Sequence, residues 1–352
     1  MAAVAYVGTN KGVIVLRSDD GVAWRKESQA LQSWQVPMVA VSPLVPNKAF
    51  AGTRGDGVWV TEDFGASWKK PSYGRRGPGK VRSVAVAPND ANKVYAGTEP
   101  IDLFVSEDGA ANWRCLDSVW DVPWVSTVDY PPGRPTTAVE PHVRDIAVDP
   151  KDPNTIVIAL QVGFMLKSTD GGKSWSVLNK GVDADVHSVA IDPANPKRMW
   201  VATGGDNVRA GLVQGAALYK SEDGGQNWGP MAMEFGKHEY SIPLVVNPAR
   251  PSLVFSAVGT GAPSSWAKRP EGADCYIIRS NDSGESWQSV GGALAKSGKD
   301  FAPAIAVDPQ DPNRVYVAFR NGALSASEDG GESWRSLDIE VPDPQDMKIV
   351  HV

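Results

Sequence analysis

Three of the four histidines stand at related distances ahead of a proline turn. His142, His187 and His238 precede Pro150, Pro193 and Pro248 by eight, six and ten residues. Even offsets place residues on one side of an extended strand, so the three imidazoles are predicted to lean the same way. Imidazoles that converge with carboxylates bind Zn, Mn or Fe and leave coordination positions open. The pattern favours a divalent metal site, with structural hydrogen bonds at loop bases as the alternative role for each histidine.

Acidic, basic and phenolic side chains stand beside these histidines in the sequence. Glu140, Asp185 and Glu239 are suited to the role of general base, and Tyr240 to that of proton donor or substrate anchor. Arg144 precedes Pro150 by six residues, just as His187 precedes Pro193. It is suited to holding a substrate carboxylate. The candidate catalytic residues are therefore Glu140, Asp185, Glu239, Tyr240 and Arg144.

Further residues are candidates for substrate binding. Arg82 shares the offset of Arg144 in an earlier unit, and Glu99 and Asp102 lie in the loop that follows it. Trp120 and Trp124 lie in a long insertion, where an aromatic wall would suit a sugar ring or an aromatic substrate. Alternatively, these two tryptophans simply pack the insertion onto the rest of the protein.

A repeated turn sequence defines the elements that must position these residues. The form Ser/Thr-x-Asp-x-Gly-x-x-Trp, one residue shorter in its first copy, ends at Trp24, Trp68, Trp113, Trp175, Trp228, Trp287 and Trp334. Between the copies lie pairs of β-rich runs joined at a proline turn, such as Ile146–Pro150 and Ile305–Pro309. Such runs predict strand, turn and strand. A repeat of about 40 to 60 residues is typical of a β-propeller.

The sequence thus predicts an all-β fold, a seven-bladed β-propeller of four-stranded antiparallel blades. The run from Val4 to Thr9 matches the second strand of a unit, and the run from Met347 to Val352, which includes His351, supplies the missing first strand. We expect this C-terminal strand to join the N-terminal blade and close the ring, which removes exposed strand edges. Residues 1–352 are expected to form a single domain.

Loop lengths indicate which face of the ring carries function. The connections between successive strands of a four-stranded blade lie alternately on the two faces of the ring. The longest ones, Trp113 to Pro150, Thr203 to Ala217 and Val258 to Cys275, all fall on one face, at the mouth of the central channel. Loops on a rigid scaffold commonly carry binding and catalytic residues. The candidate residues are predicted to gather at this mouth.

The aspartates of the repeated turn are predicted to be structural. In such a turn the Asp and Ser side chains bond nearby backbone donors, and Gly adopts a positive φ. The residues concerned are Asp20, Asp63, Asp108, Asp170, Asp223, Asp282 and Asp329.

Composition excludes several classes of partner. A net charge of −6 and a pI near 5.4 do not suit nucleic acid. No apolar run reaches the length of a membrane span, and no signal peptide is recognisable, so a cytoplasmic location is expected.

Cys115 and Cys275 lie too far apart in the predicted ring to favour a disulfide. We expect a monomer or a dimer and no nucleotide or flavin cofactor.

The chain resembles the Asp-box (BNR-repeat) propellers, a superfamily that includes sialidases, xyloglucanase-type glycoside hydrolases, sortilin and the photosystem II stability/assembly factor. The resemblance spans the chain and rests on the repeated turns and on Asp-Pro-x-x-Pro turns such as Asp149–Pro153 and Asp308–Pro312. These motifs specify a fold and not an activity. The Phe-Arg-Ile-Pro start typical of sialidases is missing, and xyloglucanase-type enzymes pair two propellers where one is predicted here.

Three functions are compatible with these residues. The first is a metal-dependent hydrolase or lyase acting on a small polar or anionic substrate, in which the histidines bind the cation. The second is a glycoside hydrolase-like enzyme that acts on a sugar-like substrate with a pair of carboxylates and no metal. The third is a non-enzymatic scaffold that binds or assembles other proteins. Convergence of histidines, acids and arginines at one mouth favours an enzyme.

Overall fold

Seven antiparallel sheets follow one another along the chain in a computed structural model, which describes residues 2–72, 77–126, 141–209, 211–212, 217–231, 239–290, 294 and 299–352. The first three blades contain β1 (Ala3–Thr9), β2 (Gly12–Ser18), β3 (Trp24–Ala30); β4 (Met38–Val41), β5 (Ala49–Thr53), β6 (Gly57–Thr61); and β7 (Val81–Ala87), β8 (Asp90–Thr98), β9 (Leu103–Ser106), β10 (Arg114–Cys115). The fourth and fifth contain β11 (His142–Val148), β12 (Ile156–Gln161), β13 (Met165–Ser168), β14 (Ser176–Leu178); and β15 (Val186–Ile191), β16 (Met199–Thr203), β17 (Leu218–Ser221), β18 (Gly229–Pro230). The last two contain β19 (Tyr240–Val246), β20 (Val254–Gly259), β21 (Tyr276–Ser280), β22 (Gln288–Ser289); and β23 (Ala304–Val307), β24 (Val315–Ala318), β25 (Ala323–Ser327), β26 (Arg335–Glu340), before β27 (Pro344–His351).

The C-terminal strand closes the ring. β27 pairs antiparallel with β1, so blade 1 has the order β27-β1-β2-β3 and its innermost strand comes from the other end of the chain. The inner strands β27, β4, β7, β11, β15, β19 and β23 contact one another in turn around the axis. Blade 2 has three strands and a single bridge between Val60 and Lys69 where a fourth strand would lie. The predicted seven-bladed propeller and its mode of closure are confirmed.

The core is divided among the seven contacts between blades. Each buried apolar cluster draws its side chains from two adjacent blades, as Phe50 of blade 2 and Val84 of blade 3 illustrate. Both sides of a strand are therefore apolar, because each side packs against a different neighbour. All seven residues of β1 are buried for this reason.

The repeated turns use their aspartates internally. In the turn of blade 4, the Ser168 hydroxyl donates to Asp170 Oδ1 at 2.8 Å and accepts the Gly172 N–H at 2.8 Å, while Asp170 Oδ1 accepts the Ser174 N–H at 3.0 Å. The other six turns make equivalent bonds. Gly172 has a φ of +84°, and a Cβ there would lie 2.6 Å from Leu116 of the preceding blade. The predicted structural role of these turns is confirmed.

Four consecutive inner strands carry a β-bulge near their first residues. The pairing register shifts between Val81 and Ser83, Val143 and Asp145, Val186 and Ser188, and Ser241 and Leu244. The extra residues in the first three are Arg82, Arg144 and His187. A bulge changes the direction in which the side chain of its extra residue points. Each of these bulges also interrupts the alternation of side chains along its strand, so the even offsets do not by themselves place the histidines on one side. His142 precedes the bulge of its strand whereas His187 forms one, so the two positions are not equivalent.

Short helices occupy the long connections. They are a 3-10 helix (Asp117–Asp121), α1 (Pro123–Ser126), α2 (Asp206–Arg209) and α3 (Pro263–Trp266). Connections between second and third strands and between blades share one side of the ring, which we call the loop face. Among the described residues, no helix is long and apolar enough to cross a bilayer.

Candidate functional site at the loop face

A cavity of about 300 Å³ lies on the axis of the ring. All seven inner strands line it, and its walls combine apolar side chains, such as Val39, Val84 and Ile242, with polar and charged ones. Its polar lining comprises Arg144, Asp145, His187, Ser188, Gln345, Asp346 and Lys348. Two of the bulged residues, Arg144 and His187, therefore line the channel at its loop-face end, as the sequence predicts for the mouth.

An arginine cluster, formed by Arg54, Arg82 and Arg144 with Glu99 and His142, joins blades 2, 3 and 4. Arg54 Nη2 lies 2.8 Å from each carboxylate oxygen of Glu99, and Arg82 Nε lies 3.5 Å from Glu99 Oε2. Burial, with the positive charges of Arg144 and Arg54, lowers the pKa of Arg82 to about 9, which still leaves it charged at neutral pH. The Glu99 carboxylate thus contacts two guanidinium groups, and the charge of a third, Arg144, acts on Arg82.

His142 is fully buried at the start of β11 and accepts a hydrogen bond. Its Nε2 lies 3.0 Å from Arg82 Nη2. Because a guanidinium can only donate, Nε2 is the acceptor and carries no proton. The lone pair that would bind a metal through Nε2 is therefore engaged by Arg82.

A carboxylate cluster, formed by Asp185 and Glu239 with His187 and Tyr240, joins blades 5 and 6. His187 Nδ1 lies 2.6 Å from the Ser241 carbonyl oxygen, which can only accept, so Nδ1 bears a proton. Its Nε2 lies 3.3 Å from Asp185 Oδ1. The two atoms lie within ion-pair distance but do not form a hydrogen bond. Asp185 and His187 thus lie side by side at the rim of the channel.

Two glycines hold Asp185 and Glu239 on either side of one turn. Gly204 N–H donates to the Asp185 carbonyl at 2.8 Å, and a Cβ on Gly204 would lie 2.1 Å from Asp185 Oδ2. A Cβ on Gly205, whose φ is +71°, would lie 1.6 Å from the Glu239 carbonyl oxygen. Glu239 Oε2 also accepts the Gly261 N–H at 3.1 Å. The Gly204–Gly205 turn therefore lies against the Asp185 carboxylate and the Glu239 backbone, while the Glu239 carboxylate is held by Gly261.

Tyr240 belongs to an aromatic group beneath this turn. Its ring lies 5.1 Å from that of His187 and meets Trp266 and Phe301 edge-on at 5.3 and 5.6 Å. Tyr240 is 9% exposed, so most of its surface serves packing. The group supports the His187 ring from below.

Asp102 and Trp120, two of the predicted substrate-binding residues, form a separate contact. Trp120 Nε1 donates to Asp102 Oδ1 at 2.8 Å, and the Trp120 ring is 38% exposed. Val119, Val122 and Val125 are buried between blades 3 and 4. The described part of the insertion is thus packed onto the ring, while Trp120 still presents a face to solvent.

Three predicted site residues cannot be placed. Glu140, His238 and the side chain of Trp124 lie outside the described residues. Within the described ranges, no group of three or more His, Cys, Asp or Glu side chains is arranged to hold a metal ion. His142 and His187 each contact other protein groups, and the third histidine of the set is not described. The metal site stays a prediction.

Sequence reasoning missed the acids that link inner strands. Asp145 Oδ2 accepts the Val189 N–H at 2.9 Å and the Ser188 hydroxyl at 3.1 Å, and Asp346 Oδ2 accepts the Val39 N–H at 3.0 Å. Each bond ties one blade to the next. The position of Asp145 next to Arg144 was visible in the sequence, but its role depends on the neighbouring blade.

His351 lies away from the mouth. Its Nε2 contacts Asp308 Oδ1 at 2.6 Å, which joins the closing strand to blade 7 at the end of β27. Both side chains are almost fully buried. The contact ties the two ends of the ring together.

Comparison with known proteins gives local similarity in sequence. No family model matches the chain. A xyloglucanase of a Paenibacillus species is 31% identical over 137 residues, 36% of this chain and 13% of that protein. An oligoxyloglucan-reducing end-specific xyloglucanase of Emericella nidulans is 23% identical over 210 residues, 56% of this chain and 24% of that protein. The chain thus spans less than a quarter of the length of these relatives.

Solved structures match nearly the whole chain in fold. An ancestral GH74 enzyme superimposes with a TM-score of 0.62 at 19% identity, over 92% of this chain and 37% of that one. YCF48 bound to D1 peptide gives 0.59 at 17% identity, over 92% and 89%. The GH74 enzyme of Niastella koreensis gives 0.55 at 14% identity, over 98% and 68%. The chain is a seven-bladed β-propeller that resembles GH74 xyloglucanases and YCF48.

Proposed function

We propose that the chain is a glycoside hydrolase-like propeller that binds a sugar-like polysaccharide at its loop face. The observation that carries the proposal is that one turn at the channel mouth meets both the Asp185 carboxylate and the backbone of Glu239, whose own carboxylate accepts the Gly261 N–H. The seven turn aspartates, by contrast, are committed to backbone donors. Sequence similarity to xyloglucanases favours this carboxylate-pair hypothesis over the metal hypothesis.

Glycoside hydrolysis needs one carboxylic acid to protonate the leaving oxygen and one carboxylate to activate water or attack the sugar. Asp185 is suited to the proton-transferring role, because its Oδ1 lies at the rim of the channel, 3.3 Å from His187 Nε2. Glu239 then serves as the second carboxylate, oriented by the Gly261 N–H. The exposed face of Trp120 offers a stacking surface for a sugar ring farther along the rim.

The test is release of reducing sugar from xyloglucan and from unbranched β-glucans by the purified chain. We expect Asp185→Asn and Glu239→Gln each to lower kcat by at least about a hundredfold, the usual contribution of acid–base catalysis. Asp19→Asn, which alters a 72% exposed carboxylate, is the matched control. Folded parent protein without activity on any glucan, or full activity in both acid variants, would overturn the proposal.

A protein-binding scaffold is the second candidate. The observation that favours it is coverage, because the match to YCF48 extends over 89% of that chain whereas the ancestral GH74 enzyme is matched over only 37%. In this function the loop face would bind a peptide segment instead of a glycan. A chain that binds immobilised peptides through the loop face, and neither binds nor cleaves glucans, would favour the scaffold.

A further inference from the structure

The axial cavity has the size and walls of a small-molecule site. Its volume of about 300 Å³ lies at the lower end of the range for ligand pockets. Val39, Val84, Val189 and Ile242 line it together with polar and charged side chains, Arg144 among them. Such a lining suits a compact ligand that has both an apolar part and a polar group.

Arg144 is the charge in this cavity without a counter-ion among the described residues. Its Nε is buried and makes no hydrogen bond there. Its neighbour Arg82 has Glu99 as a partner, and the charge of Arg144 acts on Arg82 unfavourably. A buried donor that lacks a partner destabilises the fold, and so does a second guanidinium beside the first. The fold alone gives no reason for an arginine at this position.

The other charges of the lining already have partners. Lys348 Nζ lies 2.6 Å from Asp346 Oδ1, so these two neutralise each other. Asp145 accepts from the Ile146 and Val189 backbones and from Ser188. His187 bonds the Ser241 carbonyl and faces Asp185. Arg144 is therefore the charged group of the lining whose buried Nε has no hydrogen-bond acceptor among the described residues.

We propose that the axial cavity binds a small organic carboxylate, whose carboxylate group pairs with Arg144. The planar guanidinium matches a carboxylate in two parallel hydrogen bonds. The valine and isoleucine side chains of the lining give an organic ligand apolar contacts that a hydrated inorganic anion would not make. This binding site shares His187 with the carboxylate cluster but is centred on Arg144, and it does not rest on the proposed hydrolase activity.

Calorimetric titration of the full chain with benzoate tests the inference. We expect benzoate to bind, and its neutral analogue benzamide to bind at least about tenfold more weakly, as the loss of a charged hydrogen-bonded pair predicts. Arg144→Gln should weaken benzoate binding by a similar factor. Arg25→Gln, which alters an arginine with a 51% exposed side chain, should not. Thermal unfolding checks that each variant is folded, and we expect Arg144→Gln to be at least as stable as the parent.

A second measurement does not depend on a variant. The ¹⁵N NMR signal of the Arg144 Nε–H should shift when benzoate is added and should stay in place when benzamide is added. Equal affinity of the parent and Arg144→Gln, or no binding of benzoate by the folded parent, would overturn the inference. Binding of inorganic phosphate or sulfate in preference to benzoate would overturn the ligand class.

Discussion

Arg82 of blade 3 donates a hydrogen bond from Nη2 to Nε2 of His142 of blade 4, over 3.0 Å. The bond joins the inner strands of these two blades, β7 and β11. It fixes His142 as an acceptor and directs the guanidinium of Arg82 toward blade 4. The relationship has consequences for stability and for the metal hypothesis.

We expect His142→Leu to lower the free energy of unfolding by about 1–3 kcal/mol, because a buried donor of Arg82 loses its acceptor. His142→Gln can keep a side-chain acceptor and should lose less. Urea unfolding of the parent and both variants measures the difference. If the two variants are equally stable, the bond to Arg82 does not contribute as described.

Removal of metal separates two of the functional hypotheses. A carboxylate pair acts without a cation, so glycan hydrolysis by the parent should be unchanged after dialysis against EDTA. A metal-dependent enzyme would lose activity under the same treatment. The measurement is the initial rate before chelation, after chelation and after Zn²⁺ or Mn²⁺ is returned. Loss by EDTA with recovery on metal addition would restore the histidine site as the leading hypothesis.

Gly204→Ala should damage the carboxylate pair. The new Cβ would lie 2.1 Å from Asp185 Oδ2, so the acid or the turn must move. We expect a fall in kcat and a loss of about 1–3 kcal/mol in stability, as for other overpacked sites. Gly229→Ala is the matched control, since a Cβ there has no neighbour within 4 Å. Activity and melting temperature are measured together, and an unchanged kcat in a folded Gly204→Ala protein would contradict the assigned role of Asp185.

The turn aspartates predict how stability depends on pH. Hydrogen bonds, led by those from Asn227 and Ser333, lower the pKa of Asp223 and of Asp329 to about 2, from an ordinary 3.8. Between about pH 2 and pH 4 the unfolded chain therefore binds more protons than the folded chain, so the free energy of unfolding rises with pH over this range. We expect the urea midpoint to be flat above about pH 5 and to fall as the pH drops from about 4 to about 2.

A double variant tests the origin of this slope. Asp223→Asn with Asp329→Asn removes two of the seven titrating turns, so its urea midpoint should fall less steeply over the same acidic range. The midpoints are measured at a series of pH values for both proteins. Identical slopes would show that carboxylates elsewhere govern acid unfolding.

The strands and the closure of the ring could be predicted from the sequence, whereas the contacts within the site could not. Each blade repeats the same turn and the same pattern of strands, so the strands at Ile146 and Ile305 and the closing strand near Met347 could be recognised from nearby residues alone. The bulges at Arg82, Arg144 and His187 could not, because register belongs to a pair of strands. The partners of these residues, such as the Ser241 carbonyl for His187, come from the next blade. Sequence periodicity carries no information about such contacts.

The division of the core among seven contacts between blades has a consequence for how the molecule tolerates change. Within the described residues, each apolar cluster spans two blades, so loss of one blade exposes surface on both of its neighbours. Unfolding should therefore be cooperative around the whole ring, and proteases should find few intermediate cleavage sites within the strands. Sequence variation is then expected mainly in the connections, where a longer segment does not disturb the packing between blades. Ring closure thus makes the blades depend on one another for stability, while the loops at the rim can change in sequence and in binding specificity.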